Sequence, residues 1–189
     1  MSSNEAGYTP AQRRELLAVA RASIEAGLRG ERLAVKTADY PPALREPHAT
    51  FVTLHVGTAL RGCVGSLETR RPLVEDVAHN ARAAAFEDTR FAPLTPAEFG
   101  RLQIHISVLG VPESLPSGSE ADVLRQLRPG VDGLILEEGM HRGTFLPAVW
   151  DELPAPRDFL RQLKRKAGLP VEYWSRTIRV RRYTVESIA

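Results

Sequence analysis

The chain has 189 residues, 43% of them hydrophobic, and a formal net charge of +2 at pH 7. That length and content fill one well-packed domain, or one domain with a smaller lobe, and exclude a disordered chain or a miniature scaffold. So nearly balanced a charge makes no large basic field, and charge alone implies no nucleic-acid partner.

Of the 25 basic residues 22 are Arg, which fits either bidentate anion recognition or a compositional bias of the source. The single cysteine, Cys63, excludes an intramolecular disulfide and any multi-cysteine zinc or iron–sulfur site within one chain. No H-x-x-x-H, H-E-x-x-H or paired Cys/His spacing occurs, so neither a metal nor another cofactor is expected. MSSNEAGYTPAQRRELL at the start lacks the apolar core of a signal peptide, and no segment approaches the roughly 20 apolar residues of a membrane span. The expectation is a soluble, cytoplasmic protein with a reduced thiol.

Thr9-Pro10-Ala11-Gln12 reads as a helix start, with Thr9 as N-cap, Pro10 in the first turn and Gln12 completing a capping box. Leu16, Ala20, Ile24 and Leu28 then recur every four residues, and Gly30 stops the helix. The prolines at 41, 42 and 47 mark an irregular connection. ATFVTLHV at 49–56 alternates as a strand, Gly57-Thr58 turns, and ALRGCVGSL returns to make a hairpin. Strict alternation on that return places Leu60 and Val64 on one face and Arg61 with Cys63 on the other. Gly62 and Gly65 fit either tight packing or the close approach of a ligand, and Cys63 either a small buried hydrophobe or a reactive group.

PLVEDVAHNARAAAF at 72–86 predicts a second helix with an apolar stripe of Leu73, Val77, Ala81 and Ala84 or Ala85; His79 points away from that stripe into solvent. EDTRFAPLTPAEF comes next as an irregular stretch in which Asp88, Arg90 and Phe91 form either a binding loop or a surface ion pair. RLQIHISVL at 101–109 is the clearest strand of the chain, with His105 on its polar face. VPESLPSGS at 111–119 reads as a hinge, Ser119 to Asp122 caps a short helix, and GLILEEGMHRGTFLP forms a second hairpin turning near Glu138-Gly139. Residues 156–167 are helical, and a last strand lies near SRTIRVRRYTV. The pattern predicts an α+β fold, mainly antiparallel sheet flanked by helices, with a smaller inserted α+β lobe.

LRGCVGSLE, VEDVAHNARAAAF, DTRFAPLTPAEF, HISVLGVP, LRPGVDGLILEEG, TFLPAVW, FLRQLKRKAGLP and YWSRTIRVRRYTVE, in that order, resemble the AMMECR-type family, called AmmeMemoRadiSam system protein A in bacteria and archaea. The resemblance spans residues 10–187. It implies a single domain whose larger lobe is formed by both chain ends and whose smaller lobe occupies about 111–150. It also implies partners of the Memo and radical SAM types, and a suspected site at Leu60, Arg61, Gly62, Cys63, Val64 and Gly65. Where the family often has Ile this chain has Val64, and where it is commonly acidic this chain has His105.

Three functional classes are compatible with these residues. An enzyme would use Cys63 as nucleophile with Arg61 lowering its pKa or holding an anion, and His55 is the best candidate base. A binding module would hold a small anion, a nucleotide or a peptide through Arg61, Asp88 and Arg90, with Gly62, Val64, Gly65 and Phe91 also lining the site. An RNA binder would use Arg176, Arg179, Arg181 and Arg182, but the chain has no recognition motif and few aromatic residues for stacking.

Overall fold

A computed structural model describes residues 7–189. Among them the elements run, in chain order, α1 (Pro10–Leu28), a short helical turn at Thr37–Asp39, α2 (Pro42–Arg45), β1 (Thr50–Val56), β2 (Ala59–Gly65), α3 (Leu73–Phe86), α4 (Pro96–Phe99), β3 (Leu102–Leu109), β4 (Glu113–Leu115), α5 (Glu120–Gln126), β5 (Gly133–Glu138), β6 (His141–Phe145), a turn of 3-10 helix at Pro147–Asp151, α6 (Pro156–Lys166), β7 (Arg179–Tyr183) and β8 (Val185–Ile188). The fold is α+β with two four-stranded sheets, ordered β2-β1-β3-β8 and β4-β7-β5-β6.

Two compact units result. The first comprises residues 7–109 and Glu186–Ala189, so it takes in the described part of both chain ends; the second is Gly110–Val185. The second unit runs on past 150, because α6 and β7 complete its core: Phe159, Leu160 and Leu163 of α6 and Val180 of β7 pack with Leu134, Leu136 and Trp150. The last stretch of chain is not one strand but two. β7 lies between β4 and β5 in the second sheet, and β8 crosses to the edge of the first.

In the first unit α1 and α3 cover one face of the sheet. Thr9 caps α1 by accepting from the Gln12 backbone N–H at 3.3 Å while the Gln12 side chain accepts from Thr9 N–H at 2.9 Å. Val52 and Leu54 of β1 and Ile106 of β3 are fully buried with Leu16, Ile24, Leu73 and Val77. Burying so many aliphatic side chains, each contributing about 1.5–3 kcal/mol, fixes which sheet face meets the helices. One buried polar group pins them together: Asp76 Oδ2 accepts from Thr50 N–H (3.0 Å), Thr50 Oγ1 (2.7 Å) and Asn80 Nδ2 (3.0 Å).

The segment read as irregular contains a helical turn. Thr95 and Glu98 form a reciprocal capping box around α4, with Pro96 in its first turn. Prolines at first-turn positions start helices as readily as they interrupt them, since the N–H they lack has no helical acceptor there. α2 begins with Pro42 in the same way.

Candidate functional site: the open face and edge of the first sheet

Strand alternation sends Val52, Leu54 and Val56 toward the helices and leaves Phe51, Thr53 and His55 on the opposite face. Cys63 stands across the hairpin from Thr53, and Thr53 from His105 on its other side. Thiol, hydroxyl and imidazole therefore form one row across three strands, all half-buried. Thr53 Oγ1 and Cys63 Sγ lie 3.2 Å apart, within hydrogen-bonding reach for sulfur.

The two glycines of LRGCVG have a packing reason. A Cβ on Gly62 would fall 2.0 Å from the Ala84 carbonyl oxygen of α3. One on Gly65 would fall 2.3 Å from the Thr50 carbonyl oxygen and 2.4 Å from the Phe51 ring. Both spaces are filled by the protein's own atoms, and Val64 packs against the hydrophobic core of the first unit.

Strict alternation fails at one point on β2. The register shifts between Leu54 and His55, so His55 faces Leu60 while Leu54 faces Gly62, and Arg61 is the extra residue of a β-bulge. Leu60 is consequently 38% exposed rather than turned toward the core. Arg61 reaches Glu98, with its Nε 2.6 Å from Oε1 and an Nη2 3.2 Å from Oε2, and a further bond to the Pro93 carbonyl at 3.3 Å. That guanidinium, and then the Thr95 backbone N–H and hydroxyl, hold the Glu98 carboxyl down at about 2.

β2 is an edge strand, and at Cys63 its outward backbone groups are met by side chains. Asp88 Oδ2 accepts the Cys63 N–H at 2.9 Å, and Arg90 Nη2 donates to the Cys63 carbonyl at 3.4 Å. Asp88 and Arg90 also bond each other at 2.7 Å. Arg90, followed by the Cys63 N–H, holds the Asp88 carboxyl far below the usual carboxylate range. The same bond raises the Arg90 pKa, with Cys63 adding in the same sense. Phe91 lies beneath both guanidiniums, 5.4 Å from Arg90 Cζ and 6.0 Å from Arg61 Cζ. Arg61, Cys63, Asp88, Arg90 and Phe91 are thus brought together along one edge, with each arginine already matched to a carboxylate.

A cavity of about 470 Å³ lies farther along the same sheet, lined by His55, Gln103 and His105 together with Leu17, Arg21, Leu102, Ile104 and Ala189. Arg21 donates to the Leu102 carbonyl at 3.0 Å and lies over the Phe99 ring. The polar face of 101–109 is the signal for this cavity, through His105; Thr53 and Arg21 carry none, since a strand threonine and a helix arginine are common everywhere. No imidazole pairs with the thiol. His55 sits two residues, or about 7 Å, along β1 from Thr53, and His105 is two strand spacings, about 10 Å, from Cys63 at the backbone. Among the described residues no three His, Cys, Asp or Glu side chains are grouped to hold a metal ion. No helix there is long and apolar enough to cross a membrane.

Comparisons with known proteins fit this architecture. A protein of Methanothermobacter thermautotrophicus is 38% identical over 188 residues, covering 95% of this chain and 96% of that protein. Protein MJ0810 of Methanocaldococcus jannaschii is 36% identical over 162 residues, covering 82% and 78%. The crystal structure of the uncharacterized protein PH0010 from Pyrococcus horikoshii superimposes with a TM-score of 0.81 at 35% identity, covering 91% of this chain and 88% of that one. The AMMECR1 family model matches residues 17–188. With nearly the whole chain matched in sequence and in fold, this protein belongs to the AMMECR1 family.

Proposed function

We propose that the chain is a small-ligand-binding protein whose ligand lies on the open face of the first sheet, in the His55–His105 cavity and beside the Thr53–Cys63 pair. The carrying observation is the row Cys63, Thr53, His105, whose His105 also lines a cavity of about 470 Å³. That volume falls in the range of sites for small organic molecules. The imidazoles, the Gln103 amide and the Thr53 hydroxyl offer donors and acceptors between them, with the Arg21 guanidinium on the cavity wall, a set suited to a polar ligand. Binding is favoured over catalysis by the thiol because Cys63 Sγ has a hydroxyl, rather than an imidazole, within hydrogen-bonding reach to take its proton.

The test is a fragment screen read by NMR on the labelled protein. Supporting hits perturb the resonances of Thr53, His55, Cys63 and His105 together, and His105→Ala weakens them about tenfold or more. Perturbations scattered over the surface, or hits indifferent to His105→Ala, overturn the reading. We further propose a cytoplasmic setting with Memo-type and radical SAM partners, which rests on the family resemblance. Co-elution of the purified proteins on a sizing column is the corresponding measurement, and separate elution at micromolar concentration counts against it.

A further inference from the structure

α3 presents a second polar surface away from the Cys63 face. Glu75, His79 and Arg82 succeed one another at helical spacing on one side of α3, and Arg71 precedes the helix. The chain beyond α1 brings Arg32 to the same place, and together these residues line a groove of about 190 Å³. The groove holds three guanidiniums against one lining carboxylate, and Glu75 is already engaged by the Thr37 hydroxyl. The other two carboxylates nearby belong to individual arginines: Asp76, which is buried and takes Arg71 at 3.4 Å, and Glu87, which takes Arg82. Arg32 is exposed and makes no hydrogen bond or ion pair among the described residues. Arg82 Nε is buried without a hydrogen-bond partner.

From this geometry we infer that the Arg32–Arg71–Arg82 groove is a binding site for a small phosphate monoester. A guanidinium fork takes two oxygens of a phosphate or a carboxylate at once, and three guanidiniums lining one groove suit the phosphate, which has a third oxygen to offer. A monoester, with its second pKa at about 6, brings a dianion at neutral pH to three lining guanidiniums, of which Arg32 has no carboxylate partner among the described residues. The groove's volume of about 190 Å³ admits the phosphate with a small organic group attached.

His79, beside these arginines, reports on occupancy. Its pKa lies below the ordinary histidine value, first through burial and then through Arg71, with Asp76 and Glu87 opposing and Arg32 adding. A bound dianion reverses the balance and raises it.

The experiment tracks the His79 imidazole C–H resonance by NMR in the full chain, during titration with inorganic phosphate and with glycerol 3-phosphate at ionic strength held constant by sodium chloride. Saturable shifts, an upward move of the His79 titration midpoint, and weakening of about tenfold in Arg32→Ala with partial recovery in Arg32→Lys support the site. Arg32 is exposed and makes no ion pair among the described residues, so its removal leaves the fold intact. Shifts that chloride reproduces, shifts unchanged by Arg32→Ala, or a response to inorganic phosphate that the ester fails to give overturn it. None of these readouts involves Cys63 or His105, so this site and the one on the sheet face stand or fall separately.

Discussion

The Asp88 carboxylate takes the backbone N–H of Cys63 at 2.9 Å, on the outer side of a strand whose inner side pairs with β1. A side chain here fills the place of a neighbouring strand. Because Asp88 is only 7% exposed and already bonded to Arg90, removing it leaves both an edge N–H and a guanidinium without their acceptor. Asp88→Ala is expected to cost about 1–3 kcal/mol in urea unfolding, and Asp88→Asn less, since one amide oxygen still accepts. The sign of the pH dependence comes from the depressed carboxyl. Its stabilising contribution is complete above the unfolded-state value near about 4 and declines as pH falls toward the folded value. The difference between wild type and Asp88→Asn therefore narrows on acidification below about pH 4; a gap that widens there contradicts the assignment.

Arg61 is expected to be a structural residue. Its guanidinium is 15% exposed and Glu98 24% exposed, and they meet with two bonds. Arg61→Ala and Glu98→Ala should each destabilise by about 1–2 kcal/mol, and the double variant by clearly less than their sum. Glu98, held at about 2, contributes stability that is lost as pH falls from about 4 toward 2. A double-mutant cycle with no coupling contradicts the pair.

Gly62→Ala is expected to be among the most damaging single-methyl additions in the chain. Its Cβ would meet a backbone oxygen at 2.0 Å, and neither β2 nor α3 yields by rotating a side chain. A loss of about 3 kcal/mol or more, or failure to accumulate as folded protein, is the expected result in thermal melts. Gly65→Ala meets the Thr50 carbonyl and the Phe51 ring and belongs to the same class. Gly130→Ala, by contrast, has open space and pays only for its positive φ of 78°.

These residues show where the sequence is legible and where it is not. The α1 capping box, the 49–65 hairpin, the 101–109 strand and the turn at Gly139 are local patterns, and each is found where its spelling puts it. Thr95-Pro96-Ala97-Glu98 repeats the spelling of Thr9-Pro10-Ala11-Gln12, and giving more weight to the prolines around it hides α4. The bulge at Arg61 has no such spelling. It accompanies a long-range contact, the pairing of Arg61 with Glu98 in α4, which no local pattern announces. Asp76 and Asn80 read as the polar side of a helix yet are 1% and 3% exposed, since their partner Thr50 lies 26 and 30 residues away in sequence. The binding-module reading groups Asp88 and Arg90 with the LRGCVG segment; the bonds from their side chains to the Cys63 backbone leave no sequence signal.

The Cys63 thiol is expected to be accessible and nearly dispensable for folding. It is half-buried on a face that no helix of the first unit covers, and its one hydrogen-bonding neighbour is the Thr53 hydroxyl at 3.2 Å. Cys63→Ser keeps a donor and acceptor at that position and exposes the new hydroxyl to the same open side, so it should change stability by less than about 1 kcal/mol. Cys63→Val keeps the bulk and removes the polar contact, leaving Thr53 to hydrogen-bond water, and should cost little more. Iodoacetamide should modify the native protein at a single site, seen as one added carbamidomethyl group by intact mass. The modified protein should then show shifts at Thr53 and His105, its neighbours across the row. A thiol that reacts only in denaturant, together with a serine variant destabilised by about 2 kcal/mol or more, would show Cys63 to be a packing residue and would remove one end of the proposed binding face.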